Sequence, residues 1–331
     1  PLDLHKFKKI FVTGPDADSQ AILGDWALLQ PDENVVTILE GIKAQVGDGR
    51  ISYYDYGSDV RQEDMSKVRK AASMAGKADV AIVVVGENPL RYLDSRTSGE
   101  NTDRMSISLI GAQEELVESI KAAGVPTIVV LVGGRPLGIT WIDGNADAVV
   151  NAWEPGSLGG EAVAEVLTGK VNPSGKLPVT VPRNSGQVHM IYNHKPSQYL
   201  RKFVDGETLP LYDFGFGLSY SKFTISEPVV SKACISKDES FTVKVKIANE
   251  SEVAGTDVVQ LYIRDEYSSA TRPVKELKDF SRVSLKPKET RTVEFTVTPE
   301  KLAYYDRDMH YGVEEGRFII MVGDSSRDED L

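Results

Sequence analysis

Val80-Ala81-Ile82-Val83-Val84-Val85 is an unbroken apolar run that passes into a long polar stretch, residues 86–104, and the next run of the same kind is Ile128-Val129-Val130-Leu131-Val132. Between them Leu116, Val117 and Ile120 recur at the steps of one helix face, and Gly124 followed by Pro126 stops that helix. Strand, crossover helix and second strand make the repeating unit of an α/β fold. Unbroken apolarity, in place of alternation, predicts strands buried on both faces of a mostly parallel sheet. Working outward, residues 10–12, 51–54 and 148–150 are further short strand candidates, and Met65, Val68 and Ala72 mark another helix face. Right-handed crossovers would then place helices on both sides of the sheet.

From about Phe223 the period changes. Phe241, Val243, Val245 and Ile247 alternate with Thr242, Lys244 and Lys246, and the same alternation returns at Val259, Leu261 and Ile263, at Val293, Phe295 and Val297, and at Phe318, Ile320 and Val322. Strands of this kind, separated by turn signals such as Lys286-Pro287-Lys288, predict an antiparallel β-sandwich. The chain of 331 residues also suits two cores better than one. The expected division is an α/β domain over 1–183, a long connection over 184–222 and an all-β domain over 223–331. In the connection, Tyr192, His194, Tyr199 and Tyr212 are expected to pack between domains, since an aperiodic stretch of that length is rarely free of packing.

Composition narrows the function classes. A net charge of −11 disfavours a phosphate backbone as partner and leaves neutral ligands open. Cys234 is the only cysteine, so an internal disulfide is ruled out, and four widely spaced histidines with no Cys/His cluster give no expectation of a metal. No cofactor is expected either, since neither a GxGxxG nor a GxxxxGK[ST] loop follows a strand. The longest apolar runs fall far short of the roughly 20 residues that cross a bilayer. The first residues lack the charged-then-apolar pattern of a signal peptide, so any targeting signal would precede Pro1 and the compartment stays open, cytoplasmic or exported. A homodimer is compatible with all of this.

Four segments carry a resemblance. Residues 205–220 end in Phe214-Gly215-Phe216-Gly217-Leu218-Ser219-Tyr220; upstream stand Gly133-Gly134-Arg135-Pro136-Leu137, Trp153-Glu154-Pro155-Gly156 with Gly159-Gly160, and Asn172-Pro173-Ser174-Gly175-Lys176-Leu177-Pro178. Each has its own physical reading: Gly133 and Gly134 let the backbone turn after a strand, and residues 173–175 form a turn before an extended edge. Together and in this order they resemble the C-terminal half of glycoside hydrolase family 3, of the β-glucosidase type. The resemblance implies an α/β sandwich followed by a fibronectin type III-like domain, with Arg272-Pro273-Val274-Lys275-Glu276-Leu277 matching the latter. It also implies a missing partner, the N-terminal barrel that bears the nucleophile, in the same or another chain. Without that barrel the isolated chain is expected to be inactive.

A retaining glycosidase uses two carboxylates, one to attack the anomeric carbon and one as acid/base. Loops at strand C-termini are where open α/β sheets place chemistry, and residues 86–104 form such a loop. The resemblance implies Ser-Gly-Glu-x-x-Asp-Arg there; Ser98-Gly99-Glu100-Asn101-Thr102-Asp103-Arg104 matches it, with Glu100 as the acid/base. Gly99 lets the loop turn, and Asp103 with Arg104 either pair to fix the loop or lie exposed. The rival carboxylate, Glu87, directly follows the strand and reads as a tie to the loop base. Arg91 and Tyr92 are candidate contacts to the leaving group, and Trp26 and Trp153 read as core before sugar platform. The implied activity is removal of a terminal β-linked glucose from an oligosaccharide. The competing readings are a β-xylosidase or arabinosidase of the same family and, in another class, a non-catalytic carbohydrate-binding or scaffolding module.

Overall fold

The computed structural model describes residues 1–197 and 202–331, so Tyr199 lies outside the described residues. The chain forms two compact units, one of residues 1–171 with 182–186 and the other of residues 172–181 with 187–331.

The first unit runs β1 (Ile10–Thr13), α1 (Ile38–Val46), β2 (Ile51–Tyr53), α2 (Met65–Ala75), β3 (Val80–Gly86), α3 (Gln113–Ala122), β4 (Thr127–Val132), α4 (Thr140–Asn145), β5 (Ala148–Trp153) and α5 (Gly159–Thr168). All five strands are parallel, in the order β2-β1-β3-β4-β5. The central strand β3 is buried along its whole length, as its apolar run requires. On one face Ile10, Val12, Ile82, Val84, Val130 and Val132 pack with Ile38 and Ile42 of α1 and Val163 and Leu167 of α5. These two helices touch backbone to backbone: a Cβ on Gly41 would stand 2.0 Å from the Gly160 carbonyl oxygen. Thr37 opens α1 with a reciprocal cap, its hydroxyl accepting from the Glu40 N–H while the Glu40 carboxylate accepts from the Thr37 N–H. The α2 face differs from the sequence expectation. Val68, Ala71 and Ala75 are buried and Met65 is 40% exposed, because Met65 is the first residue of the helix and Asp64 caps it at the surface.

The second unit holds β6 (Phe223–Ile225), β7 (Val229–Val230), β8 (Phe241–Asn249), β9 (Gly255–Asp265), β10 (Glu276–Leu285), β11 (Thr290–Val297), the short α6 (Pro299–Leu302), β12 (Tyr304–Tyr305), β13 (Tyr311–Gly312) and β14 (Phe318–Gly323). Sheets β10-β9-β14 and β11-β8-β6 are antiparallel, with β7 also on β8, and enclose Val243, Val245, Ile247, Leu261, Phe295 and Val322. The alternation in the sequence is therefore a one-sided sheet on each side of a sandwich.

Two of the sequence motifs build this unit. The Asn172 side chain donates to Ser221 Oγ and the Ala254 carbonyl, both at 2.9 Å, and accepts from Ser219 Oγ at 2.8 Å and the Tyr220 N–H at 2.9 Å. Lys176 reaches the buried Asp257 at 2.9 Å. The segment 172–181, which the sequence reading put in the first domain, thus makes its contacts inside the second unit. Within the same unit Tyr192 stacks on Phe214 with centroids 4.3 Å apart, Tyr212 stacks on Phe216 at 5.4 Å, and His194 is buried. Among the described residues no helix is long and apolar enough to cross a membrane.

Candidate active site

Strand order reverses between β1 and β3, and in an open parallel sheet the crevice beyond the strand C-termini at such a reversal is the place for a ligand. Asp16, just after β1, and Glu87, just after β3, flank it. Glu87 is fully buried and saturated with donors. Its Oε1 accepts from Arg104 Nε at 3.0 Å and Nη2 at 2.6 Å and from Arg135 Nη2 at 2.6 Å, while Arg135 Nε donates to Oε2 at 2.9 Å. Arg135 comes from the turn after β4 and also pairs with the exposed Asp103. Burial would lower the Arg135 pKa, but Glu87 and then Asp103 raise it on balance. Asp103 and Arg104 do not form a side-chain pair with each other; each is held through a third residue, which ties the end of the loop to its beginning.

Between those ends the loop closes on itself. The Asn88 N–H donates to Thr97 Oγ1 at 3.0 Å, the Thr97 N–H to the Asn88 carbonyl at 2.7 Å, and Asn88 Nδ2 to Ser95 Oγ at 2.9 Å. Glu100 follows at the tip of a turn. Its side chain is 50% exposed and its Oε2 accepts from Arg91 Nη2 at 2.9 Å. The turn is gathered on Asp25, a residue distant in sequence. Asp25 Oδ2 accepts from the Glu100 N–H at 2.7 Å and Arg91 Nη2 at 2.8 Å, and Oδ1 accepts from Arg96 Nη2 at 2.7 Å. Arg96 also donates to the carbonyls of Ser98 at 3.0 Å and Glu100 at 2.8 Å. Burial would raise the Asp25 carboxyl, yet the Glu100 N–H, Arg91 and Arg96 together hold it below its ordinary value. Gly99 has φ +108°, open to glycine and strained for any other residue.

Two carboxyls nearby are pushed the other way. Asp16 is buried with neither oxygen hydrogen-bonded among the described residues, and burial first, then the Glu87 charge, raises its pKa well above the usual range. Glu154, after β5, is raised by burial and then by Asp25 and Glu87. Among the described residues no group of three or more His, Cys, Asp and Glu side chains is placed to hold a metal.

The residues singled out in the sequence fall in one place, since Arg91, Gly99 and Glu100 meet at the tip and Asp103 and Arg104 at the base. Tyr92 stands beside Arg91 and is 38% exposed. Trp26 departs from the core expectation. It is 77% exposed, and the Arg91 guanidinium lies 3.8 Å from its ring centroid. Asp25, Trp26 and Arg96 escaped the sequence reading as members of the site, and the segment bearing the first two has no periodicity to mark it. Arg135 lies inside the Gly-Gly-Arg-Pro motif, directly after the two glycines that turn the backbone.

The profile of the glycosyl hydrolase family 3 C-terminal domain matches residues 1–220, and that of the fibronectin type III-like domain matches residues 257–326. A periplasmic beta-glucosidase of Salmonella typhimurium is 35% identical over 98% of this chain and 46% of its own length. A beta-xylosidase of Formosa agariphila is 39% identical over 100% of this chain and 46% of its own. Among solved structures, a β-glucosidase from Erythrobacter marinus aligns with a TM-score of 0.88 at 34% identity, over 99% of this chain and 46% of that one. The Listeria innocua beta-glucosidase in complex with isofagomine aligns at 0.88 and 31% identity, over 98% of this chain and 45% of that one. The chain thus spans just under half the length of these relatives.

Proposed function

Because this chain belongs to glycosyl hydrolase family 3, we propose that it is the C-terminal portion of a retaining, exo-acting β-glucosidase in which Glu100 is the general acid/base. The observation that carries the reading is the contrast within one loop: its only fully buried glutamate is saturated with guanidinium donors, while Glu100 stands half-exposed on a braced turn beyond the sheet's C-terminal edge. A carboxyl that must give up a proton and take one back needs a free edge toward the substrate.

In the proposed cycle the Glu100 carboxylic acid protonates the glycosidic oxygen as its bond to the anomeric carbon breaks and the barrel's carboxylate bonds to that carbon. The Glu100 carboxylate then takes a proton from a water as the water's oxygen displaces the enzyme carboxylate, which restores both groups. Gly99, Asp103 and Arg104 hold the loop for this work, and Arg91 and Tyr92 border the leaving-group side. The relative named as a beta-xylosidase supports a second reading in which the terminal sugar is xylose. The ratio of kcat/KM on nitrophenyl β-glucoside and β-xyloside separates the two.

Glu100→Ala in the barrel-containing enzyme tests the assignment. Turnover of an unactivated disaccharide falls by about 100- to 10,000-fold. A dinitrophenyl glycoside, whose leaving group needs little acid help, still forms the glycosyl-enzyme, and azide, which needs no base, releases it as the β-glycosyl azide. Near-native hydrolysis of the disaccharide, or azide rescue of Glu87→Gln in its place, removes Glu100 from the role. A barrel-containing enzyme inert toward every β-glycoside would favour a binding or scaffolding module.

A further inference from the structure

We propose that Asp25 is a positioning residue for the acid/base, holding Glu100 through its backbone and through Arg91 and thereby fixing where the proton is delivered. The inference rests on the reading of Glu100 given above. The geometry is convergent. A single carboxylate, 13% exposed, receives the Glu100 N–H, Arg91 and Arg96 within 2.8 Å, and Arg96 in turn grips the carbonyls on both sides of Gly99. Gly99 completes the wrap, since a Cβ there would stand 2.6 Å from Asp25 Cγ. Every backbone polar group of Ser98 and Glu100 that meets this cluster is therefore bound to Asp25 or to an arginine that Asp25 holds.

Arg91 gives Asp25 a second role. Its guanidinium lies on the Trp26 ring and its Nη2 is shared between Asp25 and the Glu100 carboxylate. The acid step needs Glu100 as the neutral carboxylic acid, which an exclusive pair with Arg91 would oppose. Asp25 is the competing anion: with it present, Arg91 keeps a carboxylate partner when Glu100 takes up its proton, so no unpaired guanidinium is created at the tip. With Asp25 removed, Arg91 has Glu100 as its sole carboxylate, and Arg96 loses the anion that aims it at the turn.

A brace that only kept the unit folded would lower stability and leave the chemistry's dependence on the leaving group alone. The positioning role predicts a selective loss. In the barrel-containing enzyme, Asp25→Ala and the isosteric Asp25→Asn are compared with wild type on a series of aryl and alkyl β-glycosides of rising leaving-group pKa. Both variants should lose about 10- to 100-fold in kcat/KM on the poorest leaving groups, the size of effect that about 1 Å of misplacement produces, and under about 3-fold on dinitrophenyl glycosides. Asp25→Asn keeps the volume and one acceptor for the Glu100 N–H, so it reports where Asp25→Ala fails to fold. Uniform loss across the series, or none, in Asp25→Asn overturns the proposal. Glu100→Ala run beside it separates the two readings: if that variant shows no leaving-group dependence, the acid/base assignment itself fails, and if it does while Asp25→Asn does not, only the positioning role falls.

Discussion

Glu87 and Glu100 belong to the same loop and to opposite electrostatic designs. Glu87 has no exposed side chain and takes four hydrogen bonds from two arginines; Glu100 has half its side chain in solvent and takes one from a shared arginine. Buried and enclosed by guanidinium donors, the first is committed to one geometry. The second has its backbone fastened to Asp25 and a single arginine on a half-exposed carboxylate, which leaves an edge of that carboxylate open. A loop built this way has a rigid root and a chemically free tip, and the arginines divide accordingly between Glu87 and Asp25.

Exchanging the effects of two identical substitutions is the strongest way to break that contrast. Glu100→Gln should abolish most turnover of unactivated substrates while the unfolding free energy stays within about 1 kcal/mol, because exposed ion pairs contribute little. Glu87→Gln should do the reverse in kind, costing about 3–5 kcal/mol by leaving Arg104 and Arg135 short of a counter-charge in a buried setting. Denaturant unfolding measures both. Should Glu87→Gln prove as stable as wild type, the root is not the anchor its geometry describes.

Asp16 sharpens the comparison from the other side of the switch point, as a buried carboxyl with no donor among the described residues. Its raised pKa means that the folded chain keeps a proton which the unfolded chain releases above its own value of about 3.9. Between those two values the unfolded state binds fewer protons, so stability falls as pH rises, with a limiting slope of about 1.4 kcal/mol per pH unit. Asn does not titrate. The stability of Asp16→Asn relative to wild type should therefore rise from pH 4.5 to pH 7.5, whatever its sign at the acid end. Thermal unfolding across that range is the measurement, and a flat difference would show that Asp16 is ionised and has found a partner.

What the sequence made legible follows from the range of the forces involved. The Val80–Val85 run and the Phe241–Ile247 alternation are local patterns imposed by burial, and both became the strands they predicted. The root of the loop was half legible, since Glu87 follows its strand directly while its partner Arg135 lies on another strand's turn. Asp25 was invisible, because a carboxylate that organises a turn 75 residues away leaves no spacing to read. Trp26 departs from expectation for a related cause: a tryptophan is core by default, and nothing near it in sequence announces the Arg91 guanidinium that lies over its exposed ring. The motif at Asn172 was visible as a turn, but its hydrogen bonds to Ser219, Tyr220 and Ser221 belong to the second unit, which no local pattern states.

The smallest effect separates two glycines and tests whether the tip is shaped by Asp25 or only by backbone freedom. Gly99 and Gly47 both have positive φ, +108° and +90°. Around Gly47 an added Cβ would meet nothing within 4 Å, whereas at Gly99 it would fall 2.6 Å from both Asp25 Cγ and Arg96 Nη2. Gly47→Ala therefore pays only for an L-residue in a region it avoids, about 1–2 kcal/mol. Gly99→Ala carries that same strain and must also push the turn off Asp25, adding about 1 kcal/mol if the arginine and carboxylate give way together. The two substitutions also differ in kind. Gly47→Ala should leave kcat/KM of the barrel-containing enzyme unchanged on every substrate, since it touches nothing near Glu100. Gly99→Ala should lower it most on poor leaving groups, because it breaks the Glu100 N–H contact to Asp25. Equal stability losses and equal kinetics in the two variants would mean that Asp25 yields freely, and the turn would then owe its shape to glycine alone.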